Sequence, residues 1–187
     1  LYTKNVDLVN ANKVLELIQA LYEIMITSYS IESISQRLIN TIADKLGFSD
    51  GLVFVPSFDG KFLEISGVTQ TELNKTIMDV SGVATVNFRF DNRDKQNLLV
   101  NVYSTGKPQS TKKLYDIWTP YMKYGDIEGL DNQLILVYPI AYGQDVLGSF
   151  ALIAGNRTGL TDFEQKALER IVTVFGIAMD RVKINEK

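Results

Sequence analysis

Apolar positions recur along the chain at two different periods. From Asp7 to Tyr29 they step by three and four. Leu8, Ala11, Leu15, Ile18, Tyr22, Met25 and Tyr29 form a heptad seam. Val14, Leu17, Leu21 and Ile24 form a second stripe beside it. A helix resting on one core needs one apolar face. Two stripes therefore predict two packing partners, the chain's own domain and another helix; the alternative is one wide core-facing stripe. Ser30 is placed to cap a second helix over 31–46, with Ile31, Ile34, Leu38, Ile42 and Leu46 inward and Gly47 just past its end.

The period then changes. Residues 51–58 are apolar on both alternations, which predicts a strand covered on both faces. Asp59-Gly60 is a hairpin turn, and 61–68 is the returning strand. A helix over 69–80, a strand over 83–90, a short helix over 95–104, a short strand over 109–111 and a helix over 112–124, weakened by Pro120, fill the middle. Residues 133–142 and 146–155 form a second hairpin around Gly143-Gln144-Asp145. Thr161-Asp162-Phe163-Glu164 reads as a capping box opening the last helix, 161–185. That helix also has two stripes. Leu168, Val172, Phe175, Met179 and Val182 form one; Phe163, Ala167, Ile171, Val174 and Ala178 form the other. Strands apolar on both faces need cover on both. The terminal helices can supply one layer, and the middle segment, about 69 to 131, must supply the other. A face covered by short helices and loops is where a cavity can form.

Composition narrows the chemistry more than the fold. At 187 residues the chain suits one domain with flanking helices: 1–29 as a signalling helix and 30–187 as the domain proper. It contains neither Cys nor His. That excludes disulfides, thiolate nucleophiles, Cys/His zinc sites and any His-dependent triad. It equally excludes His- or Cys-ligated haem and a thiol-tethered bilin. We expect no cofactor, only an unidentified small molecule. The net charge of −3 comes without a Lys/Arg cluster, so no nucleic-acid partner is expected. No apolar run is long enough to span a membrane. The start at Leu1 reads as a piece of a longer protein, and we expect a cytoplasmic location.

Three segments in order resemble a GAF domain, the small sensory module of signalling proteins. LILVYPIAYGQDVLGSFALIAG, from Leu134 to Gly155, is similar to the family's strand–Gly turn–strand. LTDFEQKALERIVTVFGIAMDRV is similar to its closing helix, and NLLVNVYSTGKPQ to its short helix and Thr-Gly-x-Pro turn. The resemblance implies a three-layer α/β/α sandwich around an antiparallel sheet of five to six strands. It also implies flanking helices that pair in a homodimer, here through Leu8, Leu15, Ile18, Tyr22, Met25, Val172, Phe175, Met179 and Val182. Such modules sit in sensor histidine kinases, cyclic-dinucleotide enzymes or transcription regulators. Methionine-sulfoxide reductases of this fold use Cys, which this chain lacks. Asn74-Lys75 and Phe88 or Phe90 match part of the cyclic-nucleotide signature, but no Asp-Glu pair follows a Phe at the family's spacing.

The middle segment concentrates rings: Phe88, Phe90, Tyr115, Trp118, Tyr121 and Tyr124. Aromatic walls with few polar handles suit a planar or apolar ligand, and they equally suit a filled core. Alternation along 85–90 sets Phe88 and Phe90 on one face and Arg89 on the other, where Arg89 can anchor an anion. Tyr138 brings a hydroxyl that needs a partner if buried. Asp91, Asp94, Asp116, Asp126, Glu128 and Asp131 are loop carboxylates without the spacing of a calcium site. We expect a non-enzymatic regulatory module with Phe88, Arg89, Phe90, Tyr115, Trp118, Tyr121 and Tyr138 at its ligand. The alternative is a structural spacer whose pocket is plugged by rings.

Overall fold

The computed structural model describes residues 2–69, 71–84, 87–122, 132–155 and 157–185. Tyr124, Asp126, Glu128 and Asp131 lie outside the described residues, as does the predicted strand's passage through 85 and 86. Helix α1 runs Tyr2–Thr27 and α2 runs Ile31–Leu46. Ser30 caps α2 by accepting from the Ser33 amide, and Gly47 closes it at φ 70°. The conformation needs positive φ, which glycine supplies without a Cβ clash.

Strands β1 (Asp50–Pro56) and β2 (Phe62–Val68) form the first hairpin, and α3 (Glu72–Ser81) follows. Then come β3 (Arg89–Asp91), α4 (Leu98–Thr105), β4 (Gln109–Thr111) and α5 (Tyr115–Trp118). The second hairpin is β5 (Ile135–Tyr142) and β6 (Asp145–Ile153), and α6 (Asp162–Asn185) closes the chain. Two expectations shrink. Among the described residues, the strand predicted over 83–90 is only β3. Among the described residues, the helix predicted over 112–124 is only α5, because Thr119 turns extended (ψ 137°) ahead of Pro120 and a pre-proline residue is pushed out of the helical region.

The strands make one six-stranded sheet, ordered β3-β2-β1-β6-β5-β4 and antiparallel throughout. Alternation sorts its side chains between two cores. Val53, Leu136, Ile140, Phe150 and Leu152 face the layer of α1, α2 and α6. Leu52, Phe54, Leu63, Ile135, Val137 and Ala151 face the layer of α3, α4 and α5. The three-layer α/β/α sandwich expected from the sequence is therefore present. The capping box is also as read: the Glu164 amide donates to Thr161 Oγ1, and the Thr161 amide donates to Glu164 Oε1, each at 3.2 Å.

The two terminal helices use their paired stripes differently. On α1, Val14, Leu17, Leu21 and Ile24 are buried in the chain's own core, while Leu8, Leu15 and Tyr22 of the seam are exposed. Ile18 is partly covered and Met25 is buried. On α6 both stripes are buried except at Phe163 and Val172, which are half-buried. Phe175, Met179 and Val182, expected at a dimer contact, are core residues of this chain, and Val172 packs against the same core. The reason is position: α6 lies between β5 on one side and α1 and α2 on the other.

Candidate ligand site on the capped face

The capped face is built around rings that arrive from separate elements. Strand β3 carries Phe90, and Phe88 precedes it. Helix α5 carries Tyr115 and Trp118, and the chain beyond Thr119-Pro120 returns Tyr121. Phe54 of β1 meets Phe90 with centroids 5.1 Å apart. Phe90 meets Tyr121 edge-on at 5.8 Å, and Tyr121 stacks on Phe88 at 4.2 Å and 12°. Phe88 then takes the Trp118 ring edge-on at 5.0 Å. Offset and edge geometries of this kind follow from the ring quadrupole. Phe88, Phe90 and Trp118 are fully buried, with Leu114, Ile117 and Met122 beside them.

Two polar groups hold this layer to the rest of the fold. The Tyr121 hydroxyl accepts from the Arg89 amide at 3.1 Å and donates to the Arg89 carbonyl at 2.9 Å. It acts as a strand partner at the sheet's edge. Asn97, fully buried, caps α4 and donates to the carbonyls of Ile117 and Thr119, both at 3.0 Å. Sequence reasoning missed Asn97. Its signal was present, an Asn directly before the apolar run Leu-Leu-Val. A third group is left over: the Trp118 indole Nε1 is buried and has no acceptor among the described residues. A buried donor without an acceptor costs about 1–3 kcal/mol.

The other expected site residues are placed differently. Arg89 is exposed, and its guanidinium lies 3.6 Å over the Phe62 ring, away from the cluster. Tyr115 is half-buried on α5. Tyr138 is not on this face at all. It pairs in register with Phe150 and stacks on it at 5.6 Å, in the layer of α6. Its parity is that of Leu136 and Ile140, whereas Ile135 and Val137 point to the cap. The carboxylates serve local structure. Arg93 bonds Asp91 at 2.7 Å and holds its carboxyl down at about 2. Asp94 accepts from the Gln96 amide, and Asp116 from the Thr111 hydroxyl. Among the described residues no group of three His, Cys, Asp or Glu side chains could hold a metal ion.

No protein-family model matches the sequence, and a search of curated proteins finds no match. Solved structures do match. The GAF domain of a phosphoenolpyruvate-protein phosphotransferase from Coxiella burnetii superposes with TM-score 0.69 at 11% identity, covering 95% of this chain and 98% of that one. The A. aeolicus nlh2 GAF domain in an inactive state gives TM-score 0.63 at 14% identity, covering 92% and 98%. Free methionine-R-sulfoxide reductase from Neisseria meningitidis, in complex with its substrate, gives 0.64 at 6%, covering 91% and 90%. The chain has the fold of a GAF domain.

Proposed function

We propose that this chain is a regulatory sensory module of a larger signalling protein. It holds a small molecule at the capped face and passes its state to α1 and α6. The fold supports this reading, and the observation that carries it is the buried Trp118 N–H at the end of the ring chain, which has no acceptor among the described residues. A ligand oxygen or ring nitrogen would supply the missing acceptor while the rings supply its apolar walls. The absence of Cys removes thiol chemistry, so the reductase among the similar structures gives no catalytic precedent here.

A second reading rests on the burial of Phe88, Phe90 and Trp118: the rings fill the core and the domain only spaces its neighbours. Trp118→Phe separates the two. It removes the N–H and keeps an aromatic ring, so the free protein should stay within about 2 kcal/mol of wild type. Native mass spectrometry should then show a bound small molecule on gently purified wild type and none on Trp118→Phe. Bare wild-type protein, with no thermal shift across a metabolite panel, would leave the spacer reading standing.

The output proposed here runs through a homodimer. Leu8, Leu15 and Tyr22 are 62%, 54% and 41% exposed along one line of α1, spaced as a helix partner requires. Replacing Leu15 and Tyr22 together with Glu should turn a dimer into a monomer in light scattering. Being outside the core, the pair should leave unfolding within about 1 kcal/mol of wild type. A wild type already monomeric at high micromolar concentration would refute this route.

A further inference from the structure

The residue that left the expected site marks another one. A cleft of about 420 Å³ opens between the β4–β5 edge and α6, on the opposite side of the sheet from Trp118. Leu134 and Leu136 floor it, Leu160 walls it, and the Tyr138 ring stands within it against Phe150. Gln109 reaches it from β4 and Glu169 from α6. Its size suits a small molecule, and its lining sets that leucine floor beside the polar side chains of Gln109, Ser110, Thr158 and Gln165.

Its charge selects the ligand. Among the described residues Glu169 is the only charged one lining the cleft, and none forms an ion pair with it. The Tyr138 hydroxyl, half-buried, makes no hydrogen bond within the described chain. Burial, reinforced by the Glu169 charge, pushes the Tyr138 phenol above its usual value, so it stays protonated at neutral pH. An anion would meet Glu169 unfavourably. A divalent metal ion needs several oxygen ligands and finds one carboxylate. A neutral ligand would draw nothing from the Glu169 charge. A cation with an apolar body meets charge on Glu169, a π face at Tyr138 and hydrocarbon on the three leucines, and its N–H groups find oxygen acceptors among Gln109, Ser110, Thr158 and Gln165.

We propose that this cleft binds a small organic ammonium, its nitrogen between Glu169 and Tyr138 and its hydrocarbon on Leu134, Leu136 and Leu160. The ligand would touch β5 and α6 together, so its occupancy would bias how the closing helix sits on the sheet. This site does not depend on the capped-face reading.

The test is an amide-resolved NMR titration of the whole chain with phenethylammonium, 2-phenylethanol and phenylacetate as a matched set. Phenethylammonium should give saturable shifts at Gln109, Leu136, Tyr138 and Glu169. The alcohol and the acid should bind at least about tenfold more weakly. Glu169→Gln should lose at least about tenfold for phenethylammonium alone, which a purely structural role for this exposed residue would not produce. Trp118→Phe should leave the titration unchanged. No saturable shift with the ammonium, equal binding of the alcohol, or indifference to Glu169→Gln would each overturn the proposal.

Discussion

Asn97→Ala should cost about 3–5 kcal/mol of folding stability, although Asn97 lies in a connection. Its side chain makes four bonds with no exposure to solvent. Oδ1 accepts from the amides of Leu99 at 2.9 Å and Val100 at 3.3 Å, and Nδ2 donates to the carbonyls of Ile117 and Thr119. Truncation leaves two helix-opening amides and two carbonyls unpaired where water does not reach. It also frees α5 from α4, and Trp118 sits on α5. Asn97→Asp divides the effect. It keeps the acceptor for α4 and replaces the donor with a second oxygen facing two carbonyls. At neutral pH it should be no more stable than Asn97→Ala, with partial recovery in acid as the carboxyl protonates and regains one donor. The sign follows from linkage: a carboxyl raised in the folded state stabilises as pH falls. Urea unfolding followed by fluorescence measures this directly, because the chain has a single Trp and it reports from the affected layer. A loss under about 1 kcal/mol for Asn97→Ala would mean the cap is held by something else.

The sequence made α1, α2, α6 and both hairpins legible because each carries a long period and a local end signal. Ser30, Gly47 and the Thr161–Glu164 box act within a few residues of themselves, so nothing distant can override them. The middle was harder for the opposite reason. Strand β3 exists through pairing with β2 and through a hydroxyl 32 residues away on Tyr121, neither of which is a local pattern. The heptad seams show a further limit. Periodicity counts apolar faces without saying which chain covers them. On α1 one stripe is buried and the other is exposed at Leu8, Leu15 and Tyr22 but covered at Ile18 and Met25, whereas on α6 the sheet and the neighbouring helices cover most of both. For Tyr138 the parity was already in the sequence. What was missing was which parity faces the helices, and that is set by the order of the strands.

Gly176→Ala should destabilise the fold by about 3 kcal/mol, against the usual gain of roughly 1 kcal/mol for this change inside a helix. A Cβ on Gly176 would lie 1.9 Å from the Ala141 carbonyl oxygen and 2.8 Å from its carbon. Both atoms are backbone, so no rotamer change relieves the contact. The helix would have to lift, and lifting it opens the packing of Phe175 and Ala178 on either side of residue 176. The contact point is specific. Ala141 is where the β5–β6 register shifts, so α6 rests on the irregular step of the strand rather than on a flat run. Thr173→Ala is the matched control, an exposed position one turn earlier on the same helix, and it should be neutral within about 0.5 kcal/mol. Under the proposed sensory role the seat at Gly176 is also where a movement of β5 reaches the closing helix without an intervening side chain. A Gly176→Ala protein that unfolds like wild type would show that α6 does not ride directly on β5, and the shortest route from the capped-face site to the closing helix would then be lost.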